Sequence, residues 1–148
     1  MASARELGAK WRVKRFMGVP YVYGGNGPSS FDCSGFTSYV YAHFGHQLAR
    51  SSYAQMQQGT PVNGNLQLGD LVFWEGGGHV GIYTGNQTFI SATVHRGVWI
   101  YSFQVWSQTQ SWAGARRILS GSPTLGSAVA REARALPRNG GPADSTGP

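Results

Sequence analysis

The chain has a single cysteine, Cys33, among its 148 residues, which excludes an internal disulfide. A lone cysteine is ordinarily a small buried hydrophobe. It becomes a nucleophile candidate where a histidine, and a group to orient that histidine, can reach it. Charge is also scarce, at 12% of residues. No stretch approaches the ~20 consecutive apolar residues of a membrane span. The first twenty residues carry Lys and Arg but lack the apolar run of a signal peptide. The expectation is a chain that is cytoplasmic, exported by another route, or cut from a longer protein. No Cys/His cluster has zinc spacing, and no glycine-rich loop runs into Lys-Ser/Thr. The sequence therefore predicts no metal and no cofactor. Helix-turn-helix, zinc-finger and RRM patterns are missing, so specific nucleic-acid binding is not expected.

What is present fits one domain with a substantial core: 41% hydrophobic residues, 13% aromatics and 22 glycines for tight turns. The net charge is +6, and five arginines lie between Arg116 and Arg138. A basic chain concentrates near anionic polymers, which include the teichoic acids and phospholipids of a bacterial envelope.

Ser3 and Glu6 have capping-box spacing, which predicts a first helix from about residue 4 to Gly18. An aromatic-glycine loop follows over 21–27. A second helix is expected over 33–44, with Phe36, Tyr39, Val40 and Phe44 on one side and Gly45 as its C-cap. Ser51 or Ser52 can cap a short third helix ending at Gly59. Strand-like runs then cover 71–74, 79–83, 88–93, 98–103 and 112–119, separated by glycine-rich turns. Helices first and an antiparallel sheet second is an α+β order. The reading gives a domain over 1–119 and a basic Gly/Pro/Ala/Arg-rich tail or linker over 120–148, with one weak helix around 127–136. The oligomeric state is not legible.

Two segments carry candidate chemistry. Asp32-Cys33-Ser34-Gly35 opens the second helix, where the helix N-terminus favours the thiolate. Ser34 and Gly35 are small enough to admit a close substrate. His79 opens a strand after three glycines, and its imidazole could take the thiol proton and later deliver it to a leaving amine. The backbone N–H of Cys33 is the natural oxyanion donor. Asp32 can cap the helix, Asp70 closes a turn, and His43 and His46 read as surface or capping residues.

Four motifs occur in order: Tyr21-Val22-Tyr23-Gly24-Gly25, Phe31-Asp32-Cys33-Ser34-Gly35-Phe36, Leu68-Gly69-Asp70-Leu71-Val72-Phe73 and His79-Val80-Gly81-Ile82-Tyr83. Together they resemble the NlpC/P60 family of cell-wall cysteine peptidases, of the papain-like superfamily, over about residues 5–119. The resemblance implies a papain-like core with N-terminal helices packed on an antiparallel β-sheet. It implies a peptidoglycan hydrolase that cuts the stem peptide at the γ-D-glutamyl–diamino acid bond, with Cys33 and His79 catalytic. It places Tyr21 in the substrate groove, Asp32 and Ser34 at the amino end of the stem, and Arg50 either on a substrate carboxylate or in a structural role.

One position departs from the family pattern. The third catalytic residue usually lies twelve positions after the strand histidine and is His, Asn or Gln; here it is Ser91. Three readings stay open. Ser91 orients His79 directly or through water, His95 reaches in from farther along the strand, or the dyad works alone. The alternatives to a hydrolase are a weak or inactive wall-binding module and an amidase or acyltransferase on another amide. The missing leader and the basic tail point to a phage lysin, a phage tail domain or a piece of a longer chain.

Overall fold

The computed structural model describes residues 16–118. The expected first helix and the expected tail with its weak helix lie outside the described residues. Helix α1, Cys33–Ala42, begins where Asp32 caps it, its carboxylate accepting the Gly35 N–H at 2.7 Å. Phe36, Val40 and Phe44 are buried, and Tyr39 packs against them. Gly45, at φ +83°, ends the element three residues beyond the helix proper. Its N–H donates to the Ala42 carbonyl and the His46 N–H to Tyr41, a Schellman closure that glycine adopts without strain. Ser51 caps α2, Ser52–Gln55. Gln55 is buried and ties the two helices together, accepting from Thr37 at 2.7 Å and donating to the Ala49 carbonyl at 2.8 Å.

Six strands follow: β1 Thr60–Val62, β2 Leu71–Trp74, β3 His79–Gly85, β4 Thr88–Thr93, β5 Gly97–Ser102 and β6 Trp112–Arg117. They form one sheet in the order β1-β6-β2-β3-β4-β5, antiparallel throughout. The α+β reading therefore stands. Strand alternation divides the side chains between two faces. Leu71, Phe73, Val80, Ile82, Ile90, Ala92, Val98 and Ile100 face α1 and enclose Phe31 and Phe36. Val72, Trp74, Tyr83, Phe89, Tyr101 and Trp106 form a second, aromatic cluster on the other side. Each fully buried aromatic or aliphatic side chain contributes roughly 1.5–3 kcal/mol of transfer free energy.

Three details differ from the expectation. β1 contains Pro61 and has only three residues, so its sequence gives no alternation to detect; it survives at the sheet edge, paired to β6 alone. Phe103 is not strand but opens helix α3, Phe103–Trp106, because Ser102 caps it there. The glycines after β2 do not form a plain turn: Glu75–Gly77 winds into a 3-10 turn with Glu75 at φ +54°. Asp70 has the structural part expected of it. It receives both Nε and Nη2 of Arg117 at 2.9 Å and thereby clamps the start of β2 to β6.

Candidate active site

Cys33 is the first residue of α1 and is 9% exposed. Backbone N–H groups of Val80, Ser34 and Cys33 itself favour its thiolate, but burial is the larger influence, and with the negative charge of Asp32 it pushes the thiol up. The helix start alone does not yield a resting thiolate. The neighbouring glycine also differs from expectation. A side chain at Gly35 would meet the Gly25 carbonyl at 2.0 Å, so the space beside it is filled by the aromatic-glycine loop rather than open to a substrate.

His79 opens β3, one residue before the Val80 N–H that faces the sulfur. Trp106 stacks on its ring, centroid to centroid 5.1 Å with 27° between the planes. Burial pulls the His79 pKa down to about 4. At neutral pH both groups are therefore uncharged, the one a thiol and the other a neutral imidazole.

The β3–β4 hairpin turns on Asn86 and Gln87, both at positive φ, and pairs Ile82 with Ile90. This register puts Ser91 on the same sheet face as His79, as diagonal neighbours. The Ser91 hydroxyl lies 2.8 Å from His79 Nε2 and 2.7 Å from the Val80 carbonyl oxygen, to which it donates. A hydroxyl has one hydrogen. With that hydrogen given to Val80, the bond to His79 requires Nε2 to donate, which leaves Nδ1 unprotonated. His95 is exposed in the turn after β4.

On the other flank, Arg50 meets Asp32 and Ser34. Its Nη1 donates to Asp32 at 3.0 Å and Ser34 at 2.8 Å, its Nη2 to Asp32 and the Gly25 carbonyl at 3.1 Å each, and its Nε to Asn26 at 2.5 Å. A guanidinium has five N–H donors, and all five are used within the protein. Asp32 also accepts the Gly24 and Gly35 N–H groups. Although burial alone would raise it, these bonds and the charge of Arg50 hold its carboxyl below the ordinary value.

Two adjoining hollows meet at Tyr21, Tyr53 and Gly78. The first, about 380 Å³, is lined by Tyr23, Asp32, Cys33, Ser34 and Arg50. The second, about 600 Å³, is lined by Glu75, His79, Thr93, His95, Trp106 and Gln110. Tyr23, Tyr53 and Val94, strongly exposed apolar side chains, border these hollows. Burial and the charge of Cys33 raise the Tyr21 pKa. Among the described residues no group of three His, Cys, Asp or Glu side chains could hold a metal, and no helix is long and apolar enough to cross a membrane.

The sequence reading missed Trp106, Glu75 and Tyr53. The first sits in a short helix of which only Phe103 was read, as the end of a strand, and the other two line the hollows of Cys33 and His79 only through tertiary packing.

Residues 18–117 match the NlpC/P60 family. A probable endopeptidase of Corynebacterium glutamicum is 51% identical over 78 residues, 51% of this chain and 37% of its own length. An NlpC/P60 family protein of Bacillus cereus has a structure that superposes with a TM-score of 0.68 at 35% identity, over 80% of this chain and 41% of that one. The peptidoglycan hydrolase RipB of Mycobacterium tuberculosis superposes with a TM-score of 0.65 at 30% identity, over 78% and 64%. The chain thus spans well under half the length of the Corynebacterium relative. The fold is shared with these structures, a few helices packed on an antiparallel sheet.

Proposed function

The chain belongs to the NlpC/P60 family, and from that premise we propose that it hydrolyses bacterial peptidoglycan stems at the γ-D-glutamyl–diamino acid bond, with Cys33 as nucleophile and His79 as base. The observation that carries the reading is the pair of hydrogen bonds made by Ser91. They leave His79 Nδ1 with a free lone pair, the form a general base needs. Ser91 is the positioning residue in this scheme, and His95 has no part in it.

The low pKa of His79 and the raised pKa of Cys33 favour proton transfer concerted with attack over a preformed ion pair. The Cys33 Sγ–H proton moves to Nδ1 as sulfur bonds to the γ-carbonyl carbon of D-glutamate. The developing oxyanion takes the Cys33 backbone N–H. His79 then delivers the proton to the departing amine of the diamino acid, and the C–N bond breaks to leave a thioester. Water attacks the thioester carbon, its proton going to His79 and then to the thiol, and the glutamyl carboxylate leaves. Trp106 keeps one face of the imidazole dry, so the proton relay does not leak to solvent.

Tyr21, Asp32 and Ser34 line the acyl-side hollow, where the amino-terminal part of the stem would lie. We assign Arg50 to holding Asp32, Ser34 and the aromatic-glycine loop in place; no donor remains for a substrate carboxylate. The test is mass spectrometry of defined stem peptides and whole sacculi after incubation with the protein and with Cys33→Ala. Cleavage between D-glutamate and the diamino acid, absent with the variant, is the expected result. Intact substrates with well-folded protein would sink the hydrolase and leave a wall-binding module or an amidase or acyltransferase on another amide.

A further inference from the structure

The two hollows differ in charge. The acyl-side hollow contains Asp32 and Arg50, which neutralise one another. The other contains Glu75 and, among its described lining residues, no Lys or Arg. Glu75 is set at the lip of this hollow by its 3-10 turn and by Oε2, which accepts the Ser111 N–H at 2.5 Å. Its second oxygen has no partner among the described residues. The hollow is otherwise lined by the imidazoles of His79 and His95, by polar groups of Tyr21, Tyr53, Thr93 and Gln110, and by apolar walls from Val94 and Trp106.

His79 lines the same hollow, and this fixes which part of a substrate lies there. The imidazole that returns the proton must stand beside the departing amine. The residue that owns this amine therefore extends its side chain into the hollow of Glu75. If the scissile bond is the one proposed above, on which this inference rests, that residue is the diamino acid. Where that residue is lysine, its side chain is an alkyl stem ending in a primary amine, positively charged when free and neutral once acylated in a crosslink. Apolar walls suit the stem, and a lone carboxylate at the lip suits a cationic end.

We propose that Glu75 reads the free side-chain ammonium of the diamino acid, so that the protein prefers uncrosslinked stems to stems whose side-chain amine is amide-linked. A partly exposed pair of this kind discriminates by about fivefold in kcat/KM.

The test uses two tripeptides, L-Ala–γ-D-Glu–L-Lys with the lysine amine either free or Nε-acetylated, and the wild-type, Glu75→Gln and Glu75→Lys proteins. Wild type should cleave the free-amine peptide about five times better. Glu75→Gln, whose amide oxygen can still accept from Ser111, should cleave both at one rate, close to wild type on the acetylated peptide. Glu75→Lys should favour the acetylated one. Equal cleavage of both peptides by wild type, or a preference that survives in Glu75→Gln, overturns the proposal while the cleavage reaction stands. Failure to cut either peptide between glutamate and lysine overturns the reading beneath it.

Discussion

Replacing Ser91 by alanine removes one oxygen from a fully buried position and breaks two bonds at once. His79 loses the acceptor for its Nε2–H, and the Val80 carbonyl loses a donor. A neutral hydrogen bond is worth ~1 kcal/mol net, and leaving a buried polar group unpaired costs ~1–3 kcal/mol. The imidazole is then free to place its proton on Nδ1, the form that cannot act as base toward Cys33. Trp106 still holds the ring plane, so the loss falls short of removing His79 itself. Transition-state stabilisation should drop by about 1.4–2.8 kcal/mol, tenfold to hundredfold in kcat/KM on a defined stem peptide. Nitrogen-15 NMR of the imidazole should show a proton fixed on Nε2 in wild type and a mixture of tautomers in Ser91→Ala. A simple packing defect would lower stability without moving that signature. Activity within twofold of wild type, or an unchanged tautomer, would refute the argument. A large loss in His95→Ala with none in Ser91→Ala would transfer the role to His95.

Because the His79 pKa lies at about 4, kcat/KM should hold down to pH 5 and fall only near pH 4, well below the usual imidazole limb, as a pH–rate profile will register. The same depression makes stability pH-dependent: the unfolded chain binds the His79 proton below about pH 6.5 and the folded one does not, so denaturation midpoints should decline from pH 6.5 to 4. Trp106→Leu should hydrate the ring and move the acid limb of the rate profile upward from about 4, with a greater loss at pH 5 than at pH 7. Arg50→Lys cannot reproduce five donors in a plane; it should destabilise the protein by roughly 1–2 kcal/mol and raise KM, measured by thermal melting and steady-state kinetics.

The strand order could not be read along the chain, since β6 inserts between β1 and β2 and a linear pattern carries no sign of that. The positions of the strands could: runs expected at 71–74, 79–83 and 88–93 are strands, and strand parity then divides their side chains between the two clusters. Cys33 and His79 stood out through flanking motifs. The geometry at Ser91 was half legible: the twelve-residue spacing and the glycine-marked turn imply a hairpin, but the second bond, to Val80, depends on a backbone carbonyl that no side-chain pattern encodes. Arg50 was ambiguous for a similar reason. Two of its five partners, Asn26 and the Gly25 carbonyl, belong to a loop whose path is set by tertiary packing.

The proposed nucleophile and the proposed base reside in opposite layers of the molecule. Cys33 belongs to the cluster between α1 and the sheet, whereas His79 leans on the aromatic cluster behind it. Among the described residues, every strand lies after Gly59, and α1 and α2 lie before it. The chain is thus divisible at that glycine into a helical piece that owns the sulfur and a sheet piece that owns the proton relay. Neither piece carries both groups, so turnover is available only to the assembled whole. A protein cut there and fused to two partners would act as a split reporter, its hydrolysis a readout of whether the halves have met.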